Sequence, residues 1–169
     1  GHIPQSPLAK VKRLKEDKQP KVRYLSHAEY NRLIKVLDER EERIRQERDS
    51  HIAWQIERGL EPSPSLRKAP FADYLKPMVI VSVHTGVRRG ELFSLDWSDV
   101  NLELGLLSVL GSLSKSGETR HIPLNSTARE TLKNWKAQSA TDGEGLVFPN
   151  KDGERFDNVN TAWEAVLND

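Results

Sequence analysis

Residues 85–92 read Thr85-Gly86-Val87-Arg88-Arg89-Gly90-Glu91-Leu92 and follow an almost wholly apolar run, residues 78–83. Gly86 stands where a glycine commonly ends a helix with a positive φ angle. The residues from Arg88 onward favour a new helix, in which Arg88 and Glu91 lie three apart on a common face. The stretch therefore predicts a corner between two helices.

The arginines of this corner suggest that it binds an anion. An arginine in the first turn of a helix opposes the helix dipole, because the positive end of the dipole prefers negative charge. Free backbone amides and a guanidinium that meet at one point would bind a phosphate strongly. An ordinary helix corner with an Arg88–Glu91 pair explains the same residues. The order of the surrounding segments therefore has to decide between the two.

Length and composition fit one soluble globular domain with an arm. The chain has 169 residues, of which 30% are charged, and it contains four Trp and no Cys. A chain of this length buries one core but would hold a second full domain only tightly. Without Cys there is no disulfide or thiolate metal site, the five His show no metal-ligand spacing, and no apolar run is long enough to span a membrane. We expect a cytoplasmic protein without a metal, another cofactor or a membrane partner.

The net charge of +1 hides an uneven distribution. Residues 1–24 carry seven basic side chains against Glu16 and Asp17, a net charge of +5, so the remainder of the chain carries −4. Three prolines make this segment an extended arm or linker, and Gly1-His2 resembles a cloning remnant. A basic arm on a mildly acidic body, residues 25–169, suits a polyanionic partner. A solvated linker is an equally good interpretation of the arm alone.

Helical signals follow the arm. Ser26 and Glu29 form a capping box, and the apolar residues after them repeat at helical spacing. The highly charged residues 38–49 are expected to continue that helix in solvent. Residues 125–127 are predicted to cap another helix, with Thr127 and Glu130 as a second capping box, and residues 158–167 predict a last helix.

Strand signals lie between these helices. Residues 106–110 and 120–124 read as strands, and a further strand is predicted to begin near Ser112. The turn-forming residues between them place Lys115 on or beside a hairpin. A hairpin would hold the backbone of Lys115 rigidly while its long side chain stays mobile.

The order of these segments resembles the tyrosine recombinases, or phage integrases. Their catalytic domain typically follows a basic linker and opens with an Arg-aromatic-Leu-Ser/Thr-x-x-Glu helix start. A Thr-Gly-x-Arg-x-x-Glu corner, a Leu-x-Trp-x-Asp segment and a Lys-bearing hairpin ending in Pro-Leu come next. The corresponding segments are residues 23–29, 85–91, 95–100 and 114–124. The resemblance implies an α+β fold, mainly helical with a small three-stranded antiparallel sheet.

The resemblance carries catalytic roles to two positions. Arg88 matches the first catalytic arginine, which would contact the scissile phosphate and stabilise a pentacoordinate transition state. Lys115 matches the hairpin lysine, which would protonate the leaving 5′-oxygen. Glu91 would support the site by orienting Arg88 or by holding the corner. The other candidates are basic side chains expected to contact DNA: Lys12, Arg13, Lys15, Arg23, Arg89 and Arg120.

The family's His-x-x-Arg box and nucleophilic tyrosine have no counterpart in the 169 residues. Tyr24, Tyr30 and Tyr74 all precede the corner and match no family nucleophile. We therefore expect the N-terminal portion of a recombinase catalytic domain, itself unable to cleave DNA. The intact parent, bacterial or phage-encoded and nucleoid-associated, would cut and rejoin double-stranded DNA through a 3′-phosphotyrosine. It would act as a tetramer on DNA, without a cofactor or a small-molecule substrate.

Two other functions stay open at this point. The chain could be a noncatalytic DNA-binding relic of an integrase, acting through its basic arm and its corner. It could also be a helical module that binds another protein through the charged residues 38–49. His84 and His121 are expected to have structural or surface roles, because no partner constellation surrounds them.

Overall fold

The computed structural model describes residues 24–111, 117–139 and 143–167, which form an α+β fold, mainly helical. The helices are α1 (His27–Glu57), α2 (Leu75–Thr85), α3 (Arg89–Phe93), α4 (Ser126–Gln138) and α5 (Asn160–Leu167). The strands are β1 (Val100–Asn101), β2 (Leu106–Val109) and β3 (Arg120–Pro123), which form an antiparallel sheet in the order β1-β2-β3. The predicted fold class is confirmed.

Helix α1 begins at the predicted capping box. The Ser26 amide donates to the Glu29 carboxylate at 2.9 Å, and the Glu29 amide donates to Ser26 Oγ at 3.2 Å. The helix then runs for 31 residues, so the charged residues 38–49 do continue it. They are not simply solvated, however, because Glu41 is only 1% exposed and Arg40 holds Asp73 through two bonds of 2.9 and 2.6 Å. This charged segment fastens α1 to the chain that leads into α2.

Helix α2 is the apolar helix before the corner, and its limits agree with the sequence. Pro77 is its third residue, in the first turn, where a missing amide costs little. Met78 and Val81 lie in the core, and Gly86 ends the helix with a φ angle of 65°. The Gly86 amide donates to the Ser82 carbonyl at 2.9 Å. The positive φ angle turns the chain sharply toward α3.

The main core lies between α2, the sheet and α4. Residues 146–148 cross beside it, with Val147 and Phe148 completely buried. The Val147 amide donates to the Leu95 carbonyl at 2.8 Å, and Trp135 Nε1 donates to the Val147 carbonyl at 2.6 Å. A second buried cluster, Leu37, Leu75 and Val166, joins α1, α2 and α5.

One local prediction was wrong, and one strand was not predicted. The cap of α4 is Asn125, whose Oδ1 accepts from the Ala128 amide at 2.9 Å, so Thr127 is already inside the helix and forms no capping box with Glu130. The first strand of the sheet is β1, which is two residues long and was not predicted. The strand expected near Ser112 lies outside the described residues. Among the helices that the structure describes, none is long and apolar enough to cross a membrane.

Candidate active site at the corner between α2 and α3

Arg88 lies at the entrance to α3 and not in its first turn. Its backbone is extended, with φ −70° and ψ 150°, and the helix begins at Arg89. Val87 is buried and anchors the chain between the two helices. The helix dipole therefore does not oppose Arg88 as expected, because the backbone of Arg88 is still outside the helix. The side chain is nevertheless held at the corner by the residue three positions later.

Glu91 is the buried centre of the site. Its Oε2 accepts from the Arg88 amide at 2.8 Å and from Arg120 Nη2 at 2.6 Å. Its Oε1 accepts from Arg88 Nη1 and from Arg120 Nη1, both at 3.0 Å. The hydrogen bonds from Arg120, supported by those from Arg88, outweigh the cost of burial and lower the pKa of Glu91 to about 2. The carboxylate is therefore ionised at any physiological pH.

These contacts correct one expectation about the corner. The amide of Arg88 is not free to bind an anion, because it already donates to Glu91. The negative charge beside this amide comes from the chain itself. The guanidinium of Arg88 remains a donor group that a phosphate could reach.

The side chain of Arg88 is paired but open to solvent. It is 60% exposed, although its Nη1 donates to Glu91. A guanidinium has five N–H donors in a planar fork, so the other donors of Arg88 can meet a ligand. Arg120 differs, because both of its Nη atoms donate to Glu91 and its side chain is only 35% exposed. Of these two arginines, Arg88 presents the accessible guanidinium.

Two further exposed arginines flank α3. Arg89 occupies the first helical position and borders an apolar groove of about 450 Å³ between α1, α2, α3 and α5. Arg155 reaches the same helix, with its Nη2 3.5 Å from the Gly90 carbonyl. The turn at Asn150 returns the chain so that Pro149 pairs with Arg155, which carries this side chain toward α3. Arg155 was not predicted as a site residue, since a lone arginine in a loop carries no positional signal.

Several predicted site residues lie outside the described part of the chain. Val109, the last residue of β2, pairs with Arg120, the first residue of β3. The Gly111 amide donates to Thr119 Oγ1 at 3.0 Å, so the base of the hairpin lies within the described residues. Lys115 lies beyond it, and its approach to Arg88 stays a prediction. The basic residues of the arm are likewise outside: Lys12, Arg13, Lys15 and Arg23.

The two histidines near the sheet and the corner both have neighbours as hydrogen-bond partners. His84 Nε2 lies 2.9 Å from Tyr30 Oη, and His84 Nδ1 lies 2.8 Å from Asn125 Nδ2. His121 Nδ1 lies 3.0 Å from Ser108 Oγ. Such contacts are typical of structural histidines. In the three described ranges, no group of three His, Asp or Glu side chains could hold a metal ion.

Both the sequence and the fold of the chain have counterparts in known proteins. The sequence model of the phage integrase family matches residues 55–168. The chain belongs to the phage integrase family. This assignment agrees with the resemblance that the corner, the hairpin and the helix start indicate.

Curated relatives of this family member are tyrosine recombinases and an integrase. It is 30% identical over 133 residues to tyrosine recombinase XerC of Xanthomonas axonopodis pv. citri (strain 306), covering 62% of this chain and 42% of the relative. It is 33% identical over 122 residues to XerC of Xylella fastidiosa (strain 9a5c), covering 61% and 40%. It is 28% identical over 136 residues to the integrase of Salmonella phage P22, covering 74% and 34%. The chain thus spans less than half the length of each.

Solved structures support the fold. The XerA recombinase matches with a TM-score of 0.50 and 22% identity, over 86% of this chain and 41% of that one. The Tn1549 transposon integrase, in complex with a circular intermediate DNA, matches with a TM-score of 0.54 and 16% identity, over 92% and 47%. At these identities the likeness shows a shared fold, and the chain covers less than half of each of these two structures.

Proposed function

We propose that the chain is part of a site-specific DNA recombinase that cleaves and rejoins DNA through a 3′-phosphotyrosine, and that Arg88 binds the scissile phosphate. The observation that carries the proposal is the state of Arg88: an ionised, buried carboxylate fixes one edge of its guanidinium, and the side chain is 60% exposed. The named relatives include tyrosine recombinases, and a protein of the same fold was solved on DNA.

The geometry suits stabilisation of charge on a phosphate. A guanidinium binds two phosphate oxygens with directed hydrogen bonds, and Glu91 orients that of Arg88 before any ligand arrives. Charge accumulates on the non-bridging oxygens in a pentacoordinate transition state, where a fixed donor is most effective. Loss of one such donor typically lowers the rate about 10²- to 10³-fold. Lys115, as a proposal from the family pattern, protonates the leaving 5′-oxygen, which contributes roughly 10²- to 10⁴-fold.

The nucleophile is proposed to come from residues other than these 169. Tyr24 is 80% exposed beside the arm, Tyr30 bonds to His84, and Tyr74 packs against Phe156 with ring centroids 4.5 Å apart. None of them matches the family's nucleophile. A covalent phosphotyrosine keeps the energy of the phosphodiester, so the parent's reaction requires no nucleotide or metal. The parent is proposed to act as a tetramer on DNA, in the bacterial nucleoid.

The basic side chains around the site are proposed to hold the DNA backbone. Arg89 follows Arg88 directly, Arg155 reaches the Gly90 carbonyl, and both are exposed. Four residues of the arm are proposed to add further contacts: Lys12, Arg13, Lys15 and Arg23. Phosphate contacts from such residues give affinity and register but no sequence information. Target choice is therefore expected to depend on other surfaces.

Binding to duplex DNA tests the role of Arg88. Arg88→Ala is expected to weaken binding roughly tenfold and to reduce the slope of log K against log salt by about 1, because one phosphate contact is lost. Arg58→Ala is the matched control, since Arg58 is half-exposed at the far end of α1 and its loss changes the net charge equally. Equal effects of the two substitutions would refute the proposed phosphate contact.

Cleavage is tested separately with a suicide DNA substrate that traps a covalent intermediate. The 169-residue chain is expected to form no covalent adduct. An adduct would show that one of Tyr24, Tyr30 or Tyr74 is a nucleophile after all. Mass spectrometry of the adduct would identify which tyrosine reacted.

A further inference from the structure

Arg120 joins the sheet to the corner. It is the first residue of β3 and pairs across the sheet with Val109, so it stands at the base of the hairpin that contains Lys115. Its guanidinium leaves the sheet and meets the carboxylate of Glu91 through two bonds, 3.0 Å from Nη1 to Oε1 and 2.6 Å from Nη2 to Oε2. This fork-to-fork geometry fixes both the distance and the orientation of the carboxylate.

The same carboxylate holds Arg88. Each oxygen of Glu91 that accepts from Arg120 also accepts from Arg88, one from its amide and the other from its guanidinium. Any rotation of the carboxylate therefore moves the anchor of Arg88. Because Glu91 is almost inaccessible to solvent, water cannot easily replace a lost arginine bond.

We propose that Arg120 is a positioning residue, which fixes the carboxylate of Glu91 and thereby holds the guanidinium of Arg88 in one orientation relative to the sheet. This inference rests on the proposed function, since it takes Arg88 as the group that binds phosphate. It differs from the expectation that Arg120 itself contacts DNA. Both Nη atoms of Arg120 are already bonded to Glu91, whereas Arg88 keeps most of its donors open.

Removal of Arg120 has a specific consequence in this arrangement. Glu91 loses its bidentate partner and can then form a closed, two-bond pair with Arg88, which withdraws donors from the phosphate. A lysine at position 120 keeps the charge but cannot form two parallel bonds. Arg120→Lys should therefore resemble Arg120→Gln, although a simple charge contact would be preserved by lysine.

A double-mutant cycle on duplex binding tests the coupling. Four chains are compared over a range of salt concentrations: the wild type, Arg88→Ala, Arg120→Gln and the double variant. Arg120→Gln is expected to weaken binding about three- to tenfold alone and less than twofold in the Arg88→Ala background, because the two residues act through one contact. Arg120→Lys is expected to weaken binding as Arg120→Gln does, and denaturant unfolding checks that each variant is folded.

The outcomes separate the two proposals. If Arg88→Ala weakens binding and Arg120→Gln causes an equal further loss in both backgrounds, Arg120 contacts the DNA directly and only the positioning role fails. If Arg88→Ala changes nothing, the phosphate role of Arg88 fails and the positioning role fails with it.

A measurement without DNA tests whether Arg120 fixes the carboxylate of Glu91. The Glu91 carboxyl, followed by carbon-detected NMR, should titrate near pH 2 in the wild type and closer to 4.5 in both Arg120 variants. An unchanged midpoint in a folded variant would mean that Arg120 does not fix this carboxylate, and would overturn the proposal.

Discussion

Two buried glutamates in this chain each hold two cations, yet they support different kinds of structure. Glu41 on α1 is 1% exposed and bonds to Lys76 Nζ at 3.0 Å, with Arg45 at 3.7 Å. Glu91 on α3 is 4% exposed and bonds to Arg88 and Arg120. The carboxylates are alike in burial and in the number of cations beside them.

The difference lies in the cations. The side chains of Lys76 and Arg45 are each 16% exposed, and Lys76 also donates to Asp38 at 2.5 Å. The charges of Glu41, Lys76 and Arg45 are therefore largely shielded from solvent, and this closed cluster holds α1 against α2. The arginines on Glu91 are far more exposed, so Glu91, Arg88 and Arg120 form an open cluster that presents positive charge to solvent. Burial of the acid alone therefore does not distinguish the two clusters, whereas the exposure of its cationic partners does.

Removal of the acid at the closed cluster should have the largest effect on stability. Glu41→Ala is expected to lower the free energy of unfolding by about 3–5 kcal/mol, because Lys76 and Arg45 lose a buried partner and the Ala72 amide loses its acceptor. Urea unfolding measures this loss. Glu39→Ala, which breaks an exposed pair with Lys35, is the control and should cost about 0.5 kcal/mol or less.

The affinity of Glu41→Ala for duplex DNA gives a second test of the difference between the two clusters. The folded fraction of Glu41→Ala should bind duplex DNA as the wild type does, because Glu41 fastens helices and supports no exposed cation. A destabilisation below about 1 kcal/mol would show that the closed cluster contributes little beyond packing. A specific loss of affinity would show that the two clusters are not separate in function.

The contribution of Glu91, the acid of the open cluster, to the free energy of unfolding should depend on pH. The pKa of Glu91 is lowered to about 2 from its usual 4.5, so its contribution to stability is full above pH 4.5 and is lost as the pH falls toward 2. At about 1.4 kcal/mol per pKa unit the limit is about 3.4 kcal/mol, and solvent around the exposed arginines reduces the expected value to about 2 kcal/mol. The difference in unfolding free energy between the wild type and Glu91→Gln should shrink over this range.

Glu42→Gln is the control for this titration. Arg67 also lowers the pKa of Glu42, but Glu42 lies at the surface and its contribution is screened. Its stability curve should therefore stay nearly parallel to that of the wild type between pH 5 and 2. If the curve of Glu91→Gln were parallel as well, the depressed pKa of Glu91 would not contribute to stability.

The comparison also explains which parts of the fold and the site were predictable. Local spacing was enough for the start of α1, the end of α2 at Gly86 and the pairing of Arg88 with Glu91, since each depends on residues within four positions. The family pattern then supplied the architecture. The exact cap of α4 was missed because Asn125 and Thr127 are both good capping residues, and only the packed helix distinguishes them.

Contacts between distant segments could not be predicted in this way. Arg120 lies 29 residues from Glu91, and its pairing with that carboxylate was not predicted, because an isolated arginine on a strand gives no indication of a buried partner. The spacing of Glu41 and Arg45 on α1 predicted their pairing, but the burial of Glu41 was not predicted, because its neighbours on α1 are nearly all charged. In both cases the tertiary packing selects which carboxylate of a charged sequence becomes buried.

Removal of one cation from the open cluster should have the smallest effect on stability. Arg88→Ala is expected to lower the free energy of unfolding by about 0.5 kcal/mol, because its side chain is largely solvated and Arg120 still satisfies both oxygens of Glu91. Lys76→Ala is the matched change at the closed cluster. It should cost at least about 1 kcal/mol, since Glu41 would lose its nearest cation while buried. Urea unfolding of both variants gives the two values. A loss of unfolding free energy above about 2 kcal/mol for Arg88→Ala would show that Arg88 stabilises the fold as Lys76 does. The exposure of a cation would then no longer distinguish the two clusters.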